Sequence, residues 1–169
     1  MKINLGRFPK KVNGERKISI KIDPWDTWSM DHSLAYIIHP MLVQLQETKH
    51  GAPWIDDEDV PEELRSTSAS PKENDYDTDD NHFKRWDWIL DQMIWSFAQK
   101  LDDAAENQFH SGKHDIQFKE TTVDGETFHE MVRGPNDTSS YDKEGHDAWQ
   151  ARKRNGFKLF GKYYEALWD

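Results

Sequence analysis

The stretch HFKRWDWILDQMIWSFAQKL at positions 82–101 carries apolar side chains at the three-to-four residue spacing of one helix face: Phe83, Trp86, Leu90, Met93, Phe97 and Leu101, with Ala104 just beyond. This spacing predicts a helix from about Asn81 to Phe109. Trp88 and Trp95 extend apolar character onto a further flank. A helix apolar around so much of its circumference belongs at the centre of a fold, so its tryptophans are expected in the core.

Upstream, WDTWSMDHSLAYIIHPMLVQL at 25–45 predicts a second helix, starting near Asp26 or Thr27 and ending at about Lys49, before Gly51. Met30, Leu34, Ile37, Met41 and Leu45 follow helical spacing, and Pro40 inside that run is expected to free the Tyr36 carbonyl and kink or break the helix. Before it, Ile18, Ile20 and Ile22 alternate with polar residues like a half-buried strand, which can pair with Lys2 to Leu5 across an Asn13-Gly14 turn.

Downstream, Asp115 to Thr122 and Glu126 to Arg133 form a hairpin pattern around Asp124-Gly125, a pair suited to the positive φ angles of a tight turn. A third helix is predicted from about Tyr141 to Leu167, with Trp149, Phe160, Tyr164 and Leu167 on its apolar side. Gly156 and Gly161 within it either weaken the helix or permit close approach. These elements predict an α+β fold, three helices packed on a small, mainly antiparallel sheet, as one domain over 1–169 with a long acidic loop at about 53–81.

That loop dominates the electrostatics. Eleven carboxylates stand between Asp56 and Asp80 against Arg65 and Lys72, so one segment holds nearly all of the net charge of −10. A field of this sign repels phosphate backbones and anionic lipid, which disfavours DNA-groove and membrane-surface roles. A connection this long is expected to be ordered by its apolar residues Trp54, Ile55, Val60, Leu64 and Tyr76. The N-terminus has no signal-like apolar run, no stretch is long enough to span a membrane, and the chain has no cysteine, which together suit a reducing cytoplasm.

Three groupings are the candidates for chemistry. Asp87, Asp91, Asp102 and Glu106 recur along one side of the central helix, and such carboxylates, supplemented by Asp31 and His32, can ligate Mg²⁺ or Mn²⁺ for nucleotide hydrolysis; a solvated or salt-bridged face is the plainer account. His110, His114 and Asp115 offer two imidazoles and a carboxylate for zinc, but Gly112 interrupts helical alignment and a polar turn explains them equally. Arg154, Lys158 and Lys162, at four-residue spacing, form a basic stripe that either pairs with the acidic loop or, with Trp149 or Tyr163 for stacking, holds an anionic nucleotide. No nucleotide loop, cysteine-based zinc cluster or nucleophile motif is present, so no cofactor is expected outside the Mg²⁺ or Mn²⁺ alternative.

The runs WDTWSMDHSLAYIIHPMLVQLQETKHGAPWIDDEDVPEELRST, PKENDYDTDDNHFKRWDWILDQMIWSF and NGFKLFGKYYEALWD resemble a family of small acidic proteins encoded by tailed bacteriophages. The likeness extends from about Arg16 to Asp169, whereas relatives carry a longer segment ahead of RKISIKID. It implies a protein made in the host cytoplasm during infection and brings no catalytic residue, activity or cofactor with it. The expectation is a non-enzymatic binding protein acting on a host protein or a signalling nucleotide, in host takeover or counter-defence. The alternatives are a metal-dependent phosphohydrolase built on the helix carboxylates and an accessory virion component.

Overall fold

The computed structural model describes residues 1–6 and 14–168. Its elements in chain order are strands β1 (Lys2–Leu5) and β2 (Ile18–Lys21), helix α1 (Met30–Thr48), helix α2 (His82–Leu101), strands β3 (His110–Ser111), β4 (Ile116–Val123), β5 (Glu126–Arg133) and β6 (Ser140–Tyr141), and helix α3 (Lys143–Lys162). The fold is α+β, and all strand pairing is antiparallel: β1 with β2, β3 with β6, and β4 with β5. Among the described residues no helix is long and apolar enough to cross a membrane.

Helix α2 is the centre. Its buried side chains, His82, Arg85, Trp86, Ile89, Leu90, Met93, Ser96 and Phe97, recur every three or four residues as the sequence predicts, and burial of each large apolar one contributes roughly 1.5–3 kcal/mol. Two outer positions of the expected stripe differ, since Phe83 and Ala104 are exposed. The helix also ends earlier than expected. Asp102 leaves the helical conformation, its carboxylate accepts from the Ala104 N–H at 3.0 Å, and a separate 3₁₀ turn follows at Ala105–Phe109.

Helices α1 and α3 both pack on α2 and make few contacts with one another. Ahead of α1 the side chains of Asp23 and Asp26 close a reciprocal capping box on a 3₁₀ turn at Pro24–Thr27, so the regular helix begins a turn later than predicted. It runs through Pro40 without breaking. Its inward residues are Ala35 and Leu42, flanked by Ile38 and Leu45, one position round from the expected stripe; Met30, Leu34 and Met41 are exposed. On α3 the inward set is Trp149, Gly156 and Leu159, continued by Tyr163, while Tyr164, expected inside, is exposed.

The two expected hairpins pair as predicted, the short β3–β6 pair was not anticipated, and in place of one small sheet there are three two-stranded ones whose residues are mostly exposed. Ile18, Ile20 and Ile22 are exposed, since among the described residues no helix or second sheet covers that hairpin. The Asn13 half of its predicted turn lies outside the described residues. In the second hairpin Asp124 and Gly125 have φ of 53° and 85°, the two positive angles a two-residue turn of this twist needs.

The acidic connection is ordered into three 3₁₀ turns at Asp57–Asp59, Glu62–Leu64 and Ser66–Ser68. Ile55 and Val60 enter the main core and Leu64 packs against it. The expected aromatic anchors are wrong in detail: Trp54 is 75% exposed and Tyr76 is 86% exposed.

Candidate functional site

The acidic segment is fixed to the end of α3 by a lysine and a tyrosine. Lys162 Nζ lies 2.7 Å from Asp56 Oδ2, 2.5 Å from Asp59 Oδ2 and 3.3 Å from Glu58 Oε1. Tyr163, buried against Trp86, donates its hydroxyl to Asp59 Oδ2 at 2.6 Å and accepts from the Asp56 N–H at 3.1 Å. Hydrogen bonds from Lys162 to Asp56 and then Asp59 hold its ammonium above the ordinary lysine value.

Burial, aided by the hydrogen bond to Asp59, pushes the Tyr163 phenol up to about 12. Its folded value exceeds the unfolded one of about 10. The proton is therefore retained by the folded chain over an interval in which the unfolded chain loses it, so this contribution to stability is complete below pH ~10 and disappears as pH rises through ~12. The interval corresponds to at most ~2.7 kcal/mol. In an ultraviolet titration, the difference between wild type and Tyr163→Phe is expected near pH 12; a difference titrating at pH 10 would contradict the buried pairing.

At the other end of the segment, Arg85 of α2 grips Asp79 through two hydrogen bonds, Nη1 to Oδ1 at 3.0 Å and Nη2 to Oδ2 at 2.7 Å, and Nη1 also donates to the Leu64 carbonyl at 3.1 Å. The Asp57 carboxylate accepts from both the N–H and the hydroxyl of Ser66, the hydroxyl bond holding its acid below the usual carboxylate range. Asn81 Nδ2 donates to the Glu63 carbonyl, and the His82 ring bonds the Ala52 carbonyl while lying 5.5 Å from the Trp54 ring.

These ties leave an open cleft of about 520 Å³ lined by Trp54, Ile55, Asp56, Asp57, Glu58, Ser66, Asp79 and Arg85. Three of its carboxylates come from one 3₁₀ turn and the residue before it, and an exposed indole stands beside them. Carboxylates give a planar cation directional, charge-assisted hydrogen bonds, and an indole face attracts the same cation. In the cleft the carboxylates already have partners of this kind within the chain, Lys162 on Asp56 and Glu58, Arg85 on Asp79, and the Ser66 N–H and hydroxyl on Asp57.

The other candidates from the sequence are dispersed. Asp87 pairs with Lys49 at 2.6 Å and Asp91 accepts from Gln46 at 2.6 Å, both against α1, while Asp31 pairs with Lys100 and His32 meets Tyr36. Asp102 and Glu106 do share a separate polar cleft with the supplementary candidate His32, together with Asp103, Lys100, Lys153 and Trp149, but Asp87, Asp91 and Asp31 are not part of it. Fifteen residues of helix rise by about 22 Å, so Asp87 and Asp102 cannot share one ion. His110 stacks on Tyr141 across the β3–β6 pair, His114 is exposed, and Asp115 accepts from the Asn136 N–H, so these three do not converge. Among the described residues, the set of histidine or carboxylate ligand atoms close enough to share an ion is Asp56, Glu58 and Asp59, within 4.8 Å of one another, and Lys162 Nζ already contacts all three.

The basic stripe is likewise divided. Lys162 and Tyr163 serve the acidic segment, Trp149 donates to Gln99 beneath Lys153, and Arg154 and Lys158 are exposed without an ion pair among the described residues. None of the residues lining the cleft is among the candidate site residues of the sequence analysis, although its acids, Ile55 and Trp54 are named there as parts of the acidic loop. Arg85 could have been found as a charged residue interrupting an apolar stripe; Trp54, adjacent to Pro53 and four acids, offered no signal that it would be outside. No protein-family model, curated protein or solved structure matches the chain.

Proposed function

We propose that this chain is a non-enzymatic binding protein whose acidic cleft receives an arginine or lysine side chain of a partner protein, and that the partner is a host protein met during bacteriophage infection. The single observation behind the first part is the exposed Trp54 beside Asp56, Asp57 and Glu58, carboxylates held by a segment that Ile55, Val60, Lys162 and Arg85 fix to the helical core. A held anionic surface loses less conformational freedom on association than a mobile one, and its field steers a basic partner in. The second part rests on the resemblance to phage proteins. A nucleotide is the poorer partner, because its phosphates would meet the same negative field and the stripe proposed to hold them is split.

A labelled tetra-arginine peptide tests this directly by fluorescence anisotropy. Wild type is expected to bind it saturably and more weakly as salt rises. Trp54→Ala should weaken binding about five- to tenfold, in the range of a partly desolvated cation–π contact, and Asp57→Asn with Glu58→Gln by a similar factor. Equal affinity for wild type and both variants would reduce the cleft to bulk charge. Retrieval of the same host protein by wild type and not by Trp54→Ala would extend the result to the natural partner.

A further inference from the structure

Lys153, in the middle of α3, stands where two clefts meet. On one side is the polar cleft of about 220 Å³, to which α1 brings His32, α2 brings Lys100, and the chain just beyond α2 brings Asp102, Asp103 and Glu106. On the other is a recess of about 380 Å³ walled by Leu34, Ile38, Phe97 and Phe157, with Asp31 and Lys100 as its other charged members. The Lys153 ammonium lies 3.8 Å from the centroid of the Trp149 ring, and among the described residues it makes no hydrogen bond and no ion pair. Neighbouring cations are placed differently: Lys100 pairs with Asp31, and Arg152 bonds Gln92 over the Trp95 ring.

An amine in this position is short of water and has no acceptor to favour its charged form. Burial pushes the Lys153 ammonium below the ordinary lysine value; the Glu106 carboxylate opposes this in part, and Lys100 and Arg154 add like-charge repulsion. Of the other charged groups around it, Asp31 is taken by Lys100, and Asp102 turns its carboxylate to the Ala104 N–H. Asp103 and His32 face it across the polar cleft. Desolvation beside a second cation is what makes a lysine a nucleophile, because only the neutral amine carries the lone pair.

We propose that Lys153 is a covalent capture site for a small aldehyde or ketone whose apolar substituent occupies the recess between Leu34, Ile38, Phe97 and Phe157. Glu106 takes a proton from the ammonium, and the freed lone pair attacks the carbonyl carbon while the C=O π pair moves to oxygen. Transfer of a second proton from nitrogen to that oxygen gives a carbinolamine. Glu106 then returns its proton to the hydroxyl, which leaves as water as the nitrogen lone pair closes the C=N bond. The net change is ammonium and carbonyl to iminium and water, with no oxidant or reductant. The positive charge stays on the nitrogen beside the Trp149 face, where the ring already accepts it. The polar cleft and the recess share no residue with the acidic cleft, so this capture is independent of the binding proposed there.

Benzaldehyde and sodium cyanoborohydride at neutral pH test this on the full chain, since the hydride fixes an imine as a benzylamine that peptide mass spectrometry locates. Lys153 is expected to be labelled at least about tenfold faster than the exposed Lys119 of β4, the advantage of an amine whose proton is held less tightly by one pH unit or more, and its rate should saturate in benzaldehyde. Labelling of Lys153 should also rise at lower pH than that of Lys119. Glu106→Gln removes a charge that favours the ammonium, yet should slow labelling of Lys153 because the proton carrier is gone. Leu34→Trp fills the recess and should slow labelling by benzaldehyde while leaving that by formaldehyde, which has no substituent, unchanged; Trp54→Ala should alter neither. Should Leu34→Trp melt early, the preference of wild-type Lys153 over Lys119 for benzaldehyde against formaldehyde reads the recess instead. Equal labelling of Lys153 and Lys119, a rate linear in benzaldehyde, acceleration by Glu106→Gln, or no preference for the aromatic aldehyde overturns the proposal.

Discussion

Arg85→Ala is expected to remove about 3–5 kcal/mol of folding stability and to open residues 65–80 to proteolysis. The Arg85 side chain is only 4% exposed and that of Asp79 12% exposed. Truncating the arginine leaves an aspartate with little access to water and no counter-charge, and strips a donor from the Leu64 carbonyl. The loss comes chiefly from the abandoned carboxylate, not from an intrinsically strong ion pair. Arg85 Nε has no hydrogen-bond partner among the described residues, so the pair itself is imperfectly satisfied. Arg85→Met combined with Asp79→Leu should therefore cost well below the sum of the two single changes, a coupling that urea melts can measure.

The same pair dictates an acid limb. Its hydrogen bond to Arg85 holds the Asp79 carboxyl below the ordinary carboxylate range. A carboxyl depressed in the folded state stabilises above the unfolded value of about 4, and that contribution is lost as pH falls through the depressed one. Arg85→Ala should flatten this part of the pH profile. A loss under 1 kcal/mol at neutral pH, or an acid limb identical to wild type, would mean that Asp79 is solvated and that the far end of the acidic segment is held by something else.

What could be read in advance divides along physical lines. Local chemistry was legible: the Trp86, Leu90, Met93 and Phe97 stripe became the core of α2, and Asp124-Gly125 became the hairpin turn. Ile55 and Val60 anchored the acidic segment because a pair of aliphatic residues in an acidic run has little else to do than bury itself. Helix ends were not legible, since Asp23, Asp26 and Asp102 chose among competing backbone bonds that propensity does not rank. The inward face of α1 was also ambiguous. Ile37, Ile38, Met41 and Leu42 form two adjacent apolar faces, and only the position of α2 decides that Ile38 and Leu42 are inside.

The site depended still more on tertiary distance. Asp56 and Tyr163 are 107 residues apart in sequence, and their hydrogen bond exists only because α3 returns alongside α2. Pairing between the basic stripe and the acidic loop was anticipated, and it is met at Lys162; Arg154 and Lys158 lie on another face of the same helix. Aromatic residues misled for a related reason. A tryptophan's transfer free energy favours burial anywhere, so nothing local distinguished Trp86, wholly buried, from Trp54, exposed beside the carboxylates.

Two glycines on α3 should respond to the same substitution with opposite signs. Glycine inside a helix is less favourable than alanine by about 1 kcal/mol, so propensity alone makes both Gly156→Ala and Gly161→Ala stabilising. At Gly161 an added Cβ would meet nothing within 4 Å, and a gain approaching 1 kcal/mol is expected. At Gly156 it would stand 2.0 Å from Ser96 Oγ, 2.7 Å from Ser96 Cβ and 2.5 Å from the Gln92 carbonyl oxygen. Ser96 cannot simply rotate away, because its hydroxyl already donates to that carbonyl at 2.8 Å, and the carbonyl is α2 backbone. The helices must separate, loosening the Phe97 contacts with Phe157 and Phe160. Overpacking of this kind costs roughly 1–3 kcal/mol in ordinary cores and exceeds it where backbone has to move, so a net loss of about 2–4 kcal/mol is expected at Gly156. Ser96→Ala should not rescue it, since the Gln92 carbonyl stays in place. Thermal melts of the two alanine variants side by side provide the check, and a Gly156→Ala chain as stable as wild type would show that α2 and α3 are not in backbone contact at this crossing.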